Sequence, residues 1–328
     1  MRQLSAVILT YREYDSYQYV LSDLLEQGMP EDDVCIVHNP VTPSDRVVEA
    51  SSAIAVLRMP GNAGYAGGMN AGMRYQLERG AQWIWLLTHD VRLRAGALAA
   101  MLAAAREHRE CAALGPVLLN AGTDVVFSLG GERTRWGLPY NAGYGERWDG
   151  RPPAPGPTRA CAWLDGSSIM LRAGALREVG VYDTAMFGYA EDAELCLRLA
   201  RAGWSVRVVQ HALAEQTAGA SSRPGAVAFL LARNGLRYAR EAVGRRAIVP
   251  MLVHDLRVSA HFLRVALTGP GRRAAAIQCG ATWVGVLAYL AGRTGPPPAW
   301  LPGRGDMQAG RLRRRRGRRG TAAHPRCR

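Results

Sequence analysis

Leu4 to Thr10, Asp33 to His38, Ala53 to Arg58 and Trp83 to Leu87 are short apolar runs of strand length, separated by helix-like or loop stretches. Strands that are apolar throughout, rather than alternating, belong to a sheet covered on both faces. The alternation with helices is a βαβ rhythm, which predicts an α/β fold: a mostly parallel central sheet flanked by helices, with ligands at the carboxyl ends of its strands.

Between the third and fourth runs lies PGNAGYAGGMNAG, residues 60–72, with five glycines and two asparagines ahead of an apolar helix pattern. Glycines there let anionic oxygens approach backbone N–H groups at the positive end of a helix, or they serve only turns and close packing. No G-x-G-x-x-G can be read in the stretch and no Gly-Lys-Ser/Thr follows it, so a dinucleotide fingerprint and a P-loop are excluded. All 41 basic residues of the chain are arginine.

At 328 residues the chain can bury a full core. Its formal charge of +14 is concentrated at the end, where residues 304–328 hold ten arginines and one aspartate. This arm is expected to be disordered and suits anionic phospholipid better than nucleic acid, because no recognition motif accompanies it. The six cysteines form no C-x-x-C pair, which argues against a disulfide framework or zinc site and fits a reducing cytoplasm. The amino terminus has too short an apolar run for a signal peptide and reads as a first strand.

Three segments are expected: a catalytic α/β domain over 1–240, a helical extension over 241–295 and a Pro/Arg-rich tail over 296–328. Within the extension, Ala274 to Gly292 carries no charge and is bounded by Arg272, Arg273 and Arg293. Its glutamine, threonine and glycines favour an amphipathic helix at a membrane interface or packed on the catalytic domain, with a true span as the alternative.

Two places carry carboxylates with chemical promise. WIWLLTHDV ends a buried strand on Asp90, where a divalent cation bridging phosphates would offset its desolvation; the alternative is a cap for the next helix. In YAEDAELCLRLARAGW, Ala193, Cys196, Leu197 and Ala200 recur at helical spacing, so Glu191 and Asp192 open a helix. They either cap it or face a cleft.

Asn62, Gly64, Gly68, Asn70 and Gly72, then LLTHDV, WLDGSSIMLR, YAEDAELCLRLARAGW and His211 follow one another in an order that resembles family-2 inverting glycosyltransferases of the GT-A fold, nearest the bacterial rhamnosyltransferase and galactofuranosyltransferase branch. The resemblance covers about residues 4–240 and implies a nucleoside-diphosphate sugar donor, a glycan or lipid-linked saccharide acceptor, and Mn2+ or Mg2+. It assigns the general base to Asp192, with Glu191 in reserve. It assigns metal contacts to Asp90 and His211, and the donor pocket to Thr10, Tyr11, Glu13, Asn39, Asn62, Gly64, Gly68, Asn70, His89 and Asp165. Arg233 and Asn234 match a recurrent pair suited either to the diphosphate or to packing. The arm and apolar helices would hold the protein at the inner face of the plasma membrane.

Departures from the family pattern are Thr88 in place of the first aspartate of a D-x-D motif and His38 in place of an aspartate before Asn39. They motivate one rival, a degenerate relative acting as a binding or scaffold protein. A nucleic-acid binder led by the arginine arm is the other, and it leaves the ordered motifs unexplained.

Overall fold

The computed structural model describes residues 2–12, 15–42, 44–150, 156–217, 224–269 and 271–301, so that Glu13 and most of the expected tail lie outside the described residues. The first half of the fold runs β1 (Arg2–Thr10), α1 (Tyr17–Glu26), β2 (Val34–His38), β3 (Ala55–Arg58), α2 (Gly64–Glu78), β4 (Ala81–Thr88), β5 (Val91–Leu93) and α3 (Ala97–Glu107). It continues with β6 (Cys111–Asn120), β7 (Val126–Ser128), β8 (Gly131–Arg133), β9 (Pro139–Asn141), β10 (Thr158–Ala160), β11 (Ser168–Arg172), α4 (Ala173–Val179), α5 (Glu191–Arg201) and β12 (Ser205–Gln216). Three helices close the described chain: α6 (Pro224–Val243), α7 (Ile248–Thr268) and α8 (Arg272–Leu290). The expected boundary at residue 240 falls inside α6.

The main sheet has the strand order β10-β12-β6-β11-β4-β1-β2-β3. β3, β2, β1 and β4 are mutually parallel, as the βαβ rhythm predicts, and β6 is parallel to β12. β11 runs antiparallel between β4 and β6, so its amino end arrives at the carboxyl end of β4. That reversal brings the WLDGSS segment to the edge where ligands are expected.

Both faces of the sheet are covered, and the residues of β1 divide between them. Val7 and Leu9 pack with Met69 and Met73 of α2 and Leu195 and Leu199 of α5. Ala6 and Ile8 pack with Val20 and Leu24 of α1 and Met101 of α3. This alternation within an unbroken apolar run is what a doubly covered strand requires. The carboxyl-terminal helices form smaller cores of their own, in which Leu236 and Ala239 of α6 meet Met251 of α7 and Val286 of α8.

Candidate active site

Register places the polar ends of the strands side by side. Thr10 pairs with His38 and Leu9 with Thr88, so Tyr11, Asn39 and His89 lie just past neighbouring strand ends. Across the antiparallel pair, Ser168 faces Leu87 and the Thr88 N–H donates to Ser167 O at 3.0 Å. Continuing that register sets Asp165 opposite Asp90. Asp192 completes the row, because its Oδ2 accepts the Gly166 N–H at 2.9 Å while Oδ1 accepts its neighbour Ala193 N–H at 2.7 Å.

Several buried atoms here lack a protein partner. His89 Nδ1 lies 3.3 Å from Leu9 O, and since a carbonyl only accepts, Nδ1 carries the proton. His89 Nε2 is a buried atom without a partner, as are Thr88 Oγ1, Ser167 Oγ and Glu191 Oε2 among the described residues. Buried polar atoms are nearly always satisfied, so a group of them at one sheet edge marks a surface that completes its bonds on a ligand or water.

The carboxylates raise one another's pKa. Asp165 is pushed up by burial and by Asp90, against hydrogen bonding from Ser167. Asp192 is pushed up to about 7 by burial and by Asp165, against the Gly166 and Ala193 N–H groups. Burial, with Asp192 and Asp165 beside it, holds Glu191 well above the carboxylate range. Helix-start position alone predicts an ionised Asp192; desolvation and the neighbouring acid outweigh the dipole and leave it poised near neutrality.

The glycine-asparagine stretch serves close packing, one of the two parts its residue types allow. Helix α2 begins inside it, at Gly64, and a Cβ on Gly72 would lie 2.2 Å from Val7 Cγ1. One on Gly68 would lie 2.6 Å from Leu9 Cδ1. Asn70 is buried with both ends of its amide on the backbone of Tyr182, at 2.8 and 2.9 Å. Gly68 and Asn70, expected in the donor pocket, set α2 against the sheet and the approach to α5. Asn39 and Asn62 staple the end of β2 to the start of α2: Asn39 Oδ1 accepts the Ala63 N–H and Asn62 Oδ1 the Gly64 N–H, both at 2.9 Å. Thr10 is fully buried with its hydroxyl toward Val37 O, whereas Tyr11 is half-exposed at the edge.

Tyr65, in the middle of this stretch and not singled out by the sequence, donates its hydroxyl proton to Gly166 O. It ties α2 to the Asp165 turn. Tyr189, also missed, borders the acids; burial and the charges of Glu191, Asp165 and Asp90 push its phenol to about 12.

Phe187, Tyr189 and Ala190 all have positive φ, at 64°, 67° and 71°, immediately before Glu191. Such conformations cost about 1 kcal/mol or more each for residues other than glycine and persist only where surrounding contacts fix them. Here the contacts come from α6. Asn234 Nδ2 reaches the carbonyls of Met186, Gly188 and Tyr189 at 2.8–2.9 Å. Arg233 donates to Met186 O at 3.0 Å, Asn234 Oδ1 at 2.9 Å and Gly295 O at 2.8 Å. Burial and Arg237 lower the Arg233 pKa to about 10, which leaves it charged at neutrality. Of the two roles open to this pair, the structure assigns packing: both side chains are buried and committed to backbone carbonyls. Gly295 in turn donates its N–H to Ala185 O at 2.8 Å, fastening the end of the helical region to the same loop.

His211, expected as a metal contact, does not join the row at this sheet edge. It is exposed on a bulge of β12 where the register with β6 jumps between Val209 and Leu213. The residue at the strand end beside Asp90 is the buried Gln216, which pairs with Val91 while Thr217 N–H approaches Asp90 O at 3.4 Å. Even Leu213 is three residues from Gln216, roughly 10 Å along a strand. Among the described residues, no three His, Cys, Asp or Glu side chains are grouped to hold a metal ion by themselves. Asp90 nevertheless suits a hard cation that takes the rest of its shell from phosphate oxygens, and such a cation would relieve the repulsion between Asp90 and Asp165.

Residues 2–238 match the family model described as glycosyltransferase like family 2. The chain is 30% identical over 206 residues to the galactofuranosyltransferase GlfT1 of Mycobacterium tuberculosis, covering 60% of this chain and 64% of that one. It is 29% identical over 139 residues to the N-acetylglucosaminyl-diphospho-decaprenol L-rhamnosyltransferase of the same organism, covering 37% of this chain and 42% of that one. The chain thus spans less than two thirds of the length of these curated relatives. A crystal structure of GalNAc-T7 with UDP, GalNAc and Mn2+ superposes with a TM-score of 0.51 at 12% identity, over 66% of this chain and 44% of that one, a likeness of fold. With the sheet order, the matched motifs and the family model in agreement, this chain belongs to glycosyltransferase family 2 and has the GT-A fold.

Proposed function

We propose that the protein is an inverting glycosyltransferase that moves a sugar from a nucleoside-diphosphate donor, of the dTDP-rhamnose or UDP-sugar type, to a hydroxyl of a glycan or lipid-linked saccharide. The observation that carries this reading is the Asp192 carboxylate, oriented by two backbone N–H groups and poised at about 7 on the edge that ends in Asp90. A base of that pKa removes a proton efficiently near neutral pH. The acceptor oxygen attacks the anomeric carbon from the face opposite the phosphate, its proton passes to Asp192, and the bond from the anomeric carbon to the diphosphate oxygen breaks. A divalent cation, Mn2+ or Mg2+, when bound, neutralises the departing diphosphate. Asp90 would hold it with the donor's phosphates. Tyr11 and the unsatisfied His89 Nε2 line the donor side, with Asn39 holding the α2 start behind them, and Asp165 lies between donor and base. Glu191, its carboxyl held well above the carboxylate range by burial and Asp192, borders the acceptor side from the same helix start. The name of one matched relative, the N-acetylglucosaminyl-diphospho-decaprenol L-rhamnosyltransferase, supports a saccharide acceptor on a lipid carrier, and with it work at the inner face of the membrane.

Calorimetric titration with UDP, dTDP and GDP, with and without Mn2+, tests the donor half. One nucleotide is expected to bind with strong dependence on Mn2+, and the dependence to vanish in Asp90→Ala. Failure of all three to bind, or binding indifferent to Mn2+, would sink the reading.

A further inference from the structure

The carboxyl-terminal hairpin has an outer face that no part of the described chain covers, and we propose that this face docks the protein on an anionic phospholipid bilayer, a role resting on the membrane-side reaction proposed above.

On α7, Val249, Val253, Leu256, Ala260, Leu263 and Leu267 follow at steps of four and three and therefore share one helix face. Val249, Leu256, Leu263 and Leu267 are 68%, 56%, 53% and 66% exposed. The buried residues of the same helix are Met251, Asp255 and Ser259, on the side packed toward α8 and α6. A surface helix of a soluble protein has the reverse arrangement, with leucines inside and the carboxylate outside. Asp255 has no partner for Oδ2 among the described residues, and burial pushes its pKa to about 7. On α8, Trp283, Leu287 and Leu290 are exposed at the same helical spacing, while Ala281, Gly285, Val286 and Ala288 are buried.

Charge identifies the occupant. Between residues 245 and 301 the sequence has seven arginines, Arg245, Arg246, Arg257, Arg264, Arg272, Arg273 and Arg293, and one acidic residue, the buried Asp255. Arg257 and Arg264 fall along one flank of the α7 stripe by helical phase, and Arg245 and Arg246 stand just before the helix begins. An apolar stripe edged only by cations fits the boundary between acyl chains and anionic headgroups, with the arginine stems reaching back to the phosphates. A second copy of the chain would set these arginines against each other without a carboxylate to pair. No described helix is long and apolar enough to cross a membrane, so the hairpin lies in the interface rather than through it.

The test is co-sedimentation of the full chain with phosphatidylcholine vesicles, with and without phosphatidylglycerol, beside nucleotide titration of every variant. The protein is expected to follow the vesicles only when phosphatidylglycerol is present. Leu256→Glu with Leu263→Glu is expected to weaken that binding on the order of tenfold or more, with nucleotide binding unchanged. Serine in place of Arg313, Arg314, Arg315 and Arg316 is expected to weaken it less, which separates the arm from the helix face. The proposal is overturned if the double glutamate variant sediments like the parent. It is equally overturned if ultracentrifugation without lipid reveals a dimer that the glutamates dissociate. Loss of lipid binding in the glutamate variant of a protein that binds no nucleotide would uphold the docking face and remove the transferase reading alone.

Discussion

Asp90 reaches the edge at the end of β4, a strand hydrogen-bonded to β1 on one side and β11 on the other. Asp192 reaches it at the start of α5, after three left-handed residues that Arg233 and Asn234 hold from another helix. The first position is inherited from sheet register and asks little of the rest of the chain. The second is assembled from two side chains that bond to backbone carbonyls and to each other, so it depends on a region well beyond it in sequence. Donor binding and acceptor deprotonation should accordingly respond to different parts of the molecule.

The sharpest way to separate the two is Asp192→Asn, which keeps the shape and removes the base. Transfer is expected to fall by about 10^3, within the range of general-base catalysis, while nucleotide affinity measured by calorimetry stays near the parent's. Asp90→Ala should do the converse, weakening Mn2+-dependent nucleotide binding on the order of 100-fold, about 2.7 kcal/mol. If Asp192→Asn also lost nucleotide binding, the two ends of the edge would be one site and the comparison would fail.

Asn234→Ala probes the clamp. A base displaced by a fraction of an ångström loses about one to two powers of ten in rate, so kcat is expected to drop roughly 30-fold with little change in donor affinity. A variant with intact kcat and merely reduced thermal stability would make the pair structural and nothing more. On the sheet side, Gly72→Ala forces a methyl against Val7 and should destabilise by about 1–3 kcal/mol, read as a lowered Tm. Gly80→Ala, with no atom within 4 Å of its Cβ but φ at +78°, isolates backbone strain from overpacking.

The smallest effects come from pH. Asp192 and Asp255, both raised to about 7, keep protons in the folded chain that the unfolded chain has released from about pH 4 upward. The folded state then binds more protons, and stability declines as pH rises from about 4 through 7. Asp255→Asn should flatten that decline in thermal melts. Transfer moves the other way, increasing through about 7 as Asp192 loses its proton, and a rate independent of pH between 6 and 8 would refute its assignment as base.

What could be read from the sequence follows the same division. Thr10, Asn39 and Asp90 were legible because each ends an apolar run, and a parallel sheet puts such ends in line. The opposition of Asp165 to Asp90 was not, since it depends on β11 entering antiparallel, which no local pattern announces. His211 attracted attention by its chemistry, but the bulge in β12 changes which residues face inward and gives the strand end to Gln216. Gly68 and Asn70 show that residue types suited to a phosphate loop are equally suited to close packing. The positive-φ run at Phe187, Tyr189 and Ala190 carries no glycine signature except Gly188, so the strain and its clamp appear only in three dimensions.

The bond between Gly295 and Ala185 gives the chain a direction in time. A polypeptide leaving the ribosome has already exposed every carboxylate of the edge when the backbone that fastens the loop below Asp192 is still to be made. The strands that carry Asp90 can form early from neighbours in sequence, whereas the loop before Asp192 waits for α6 and the residues after α8 to fold back. A chain stopped before Gly295 would, on the reading proposed above, keep the strands that carry Asp90 while lacking the bond that fastens the loop before Asp192.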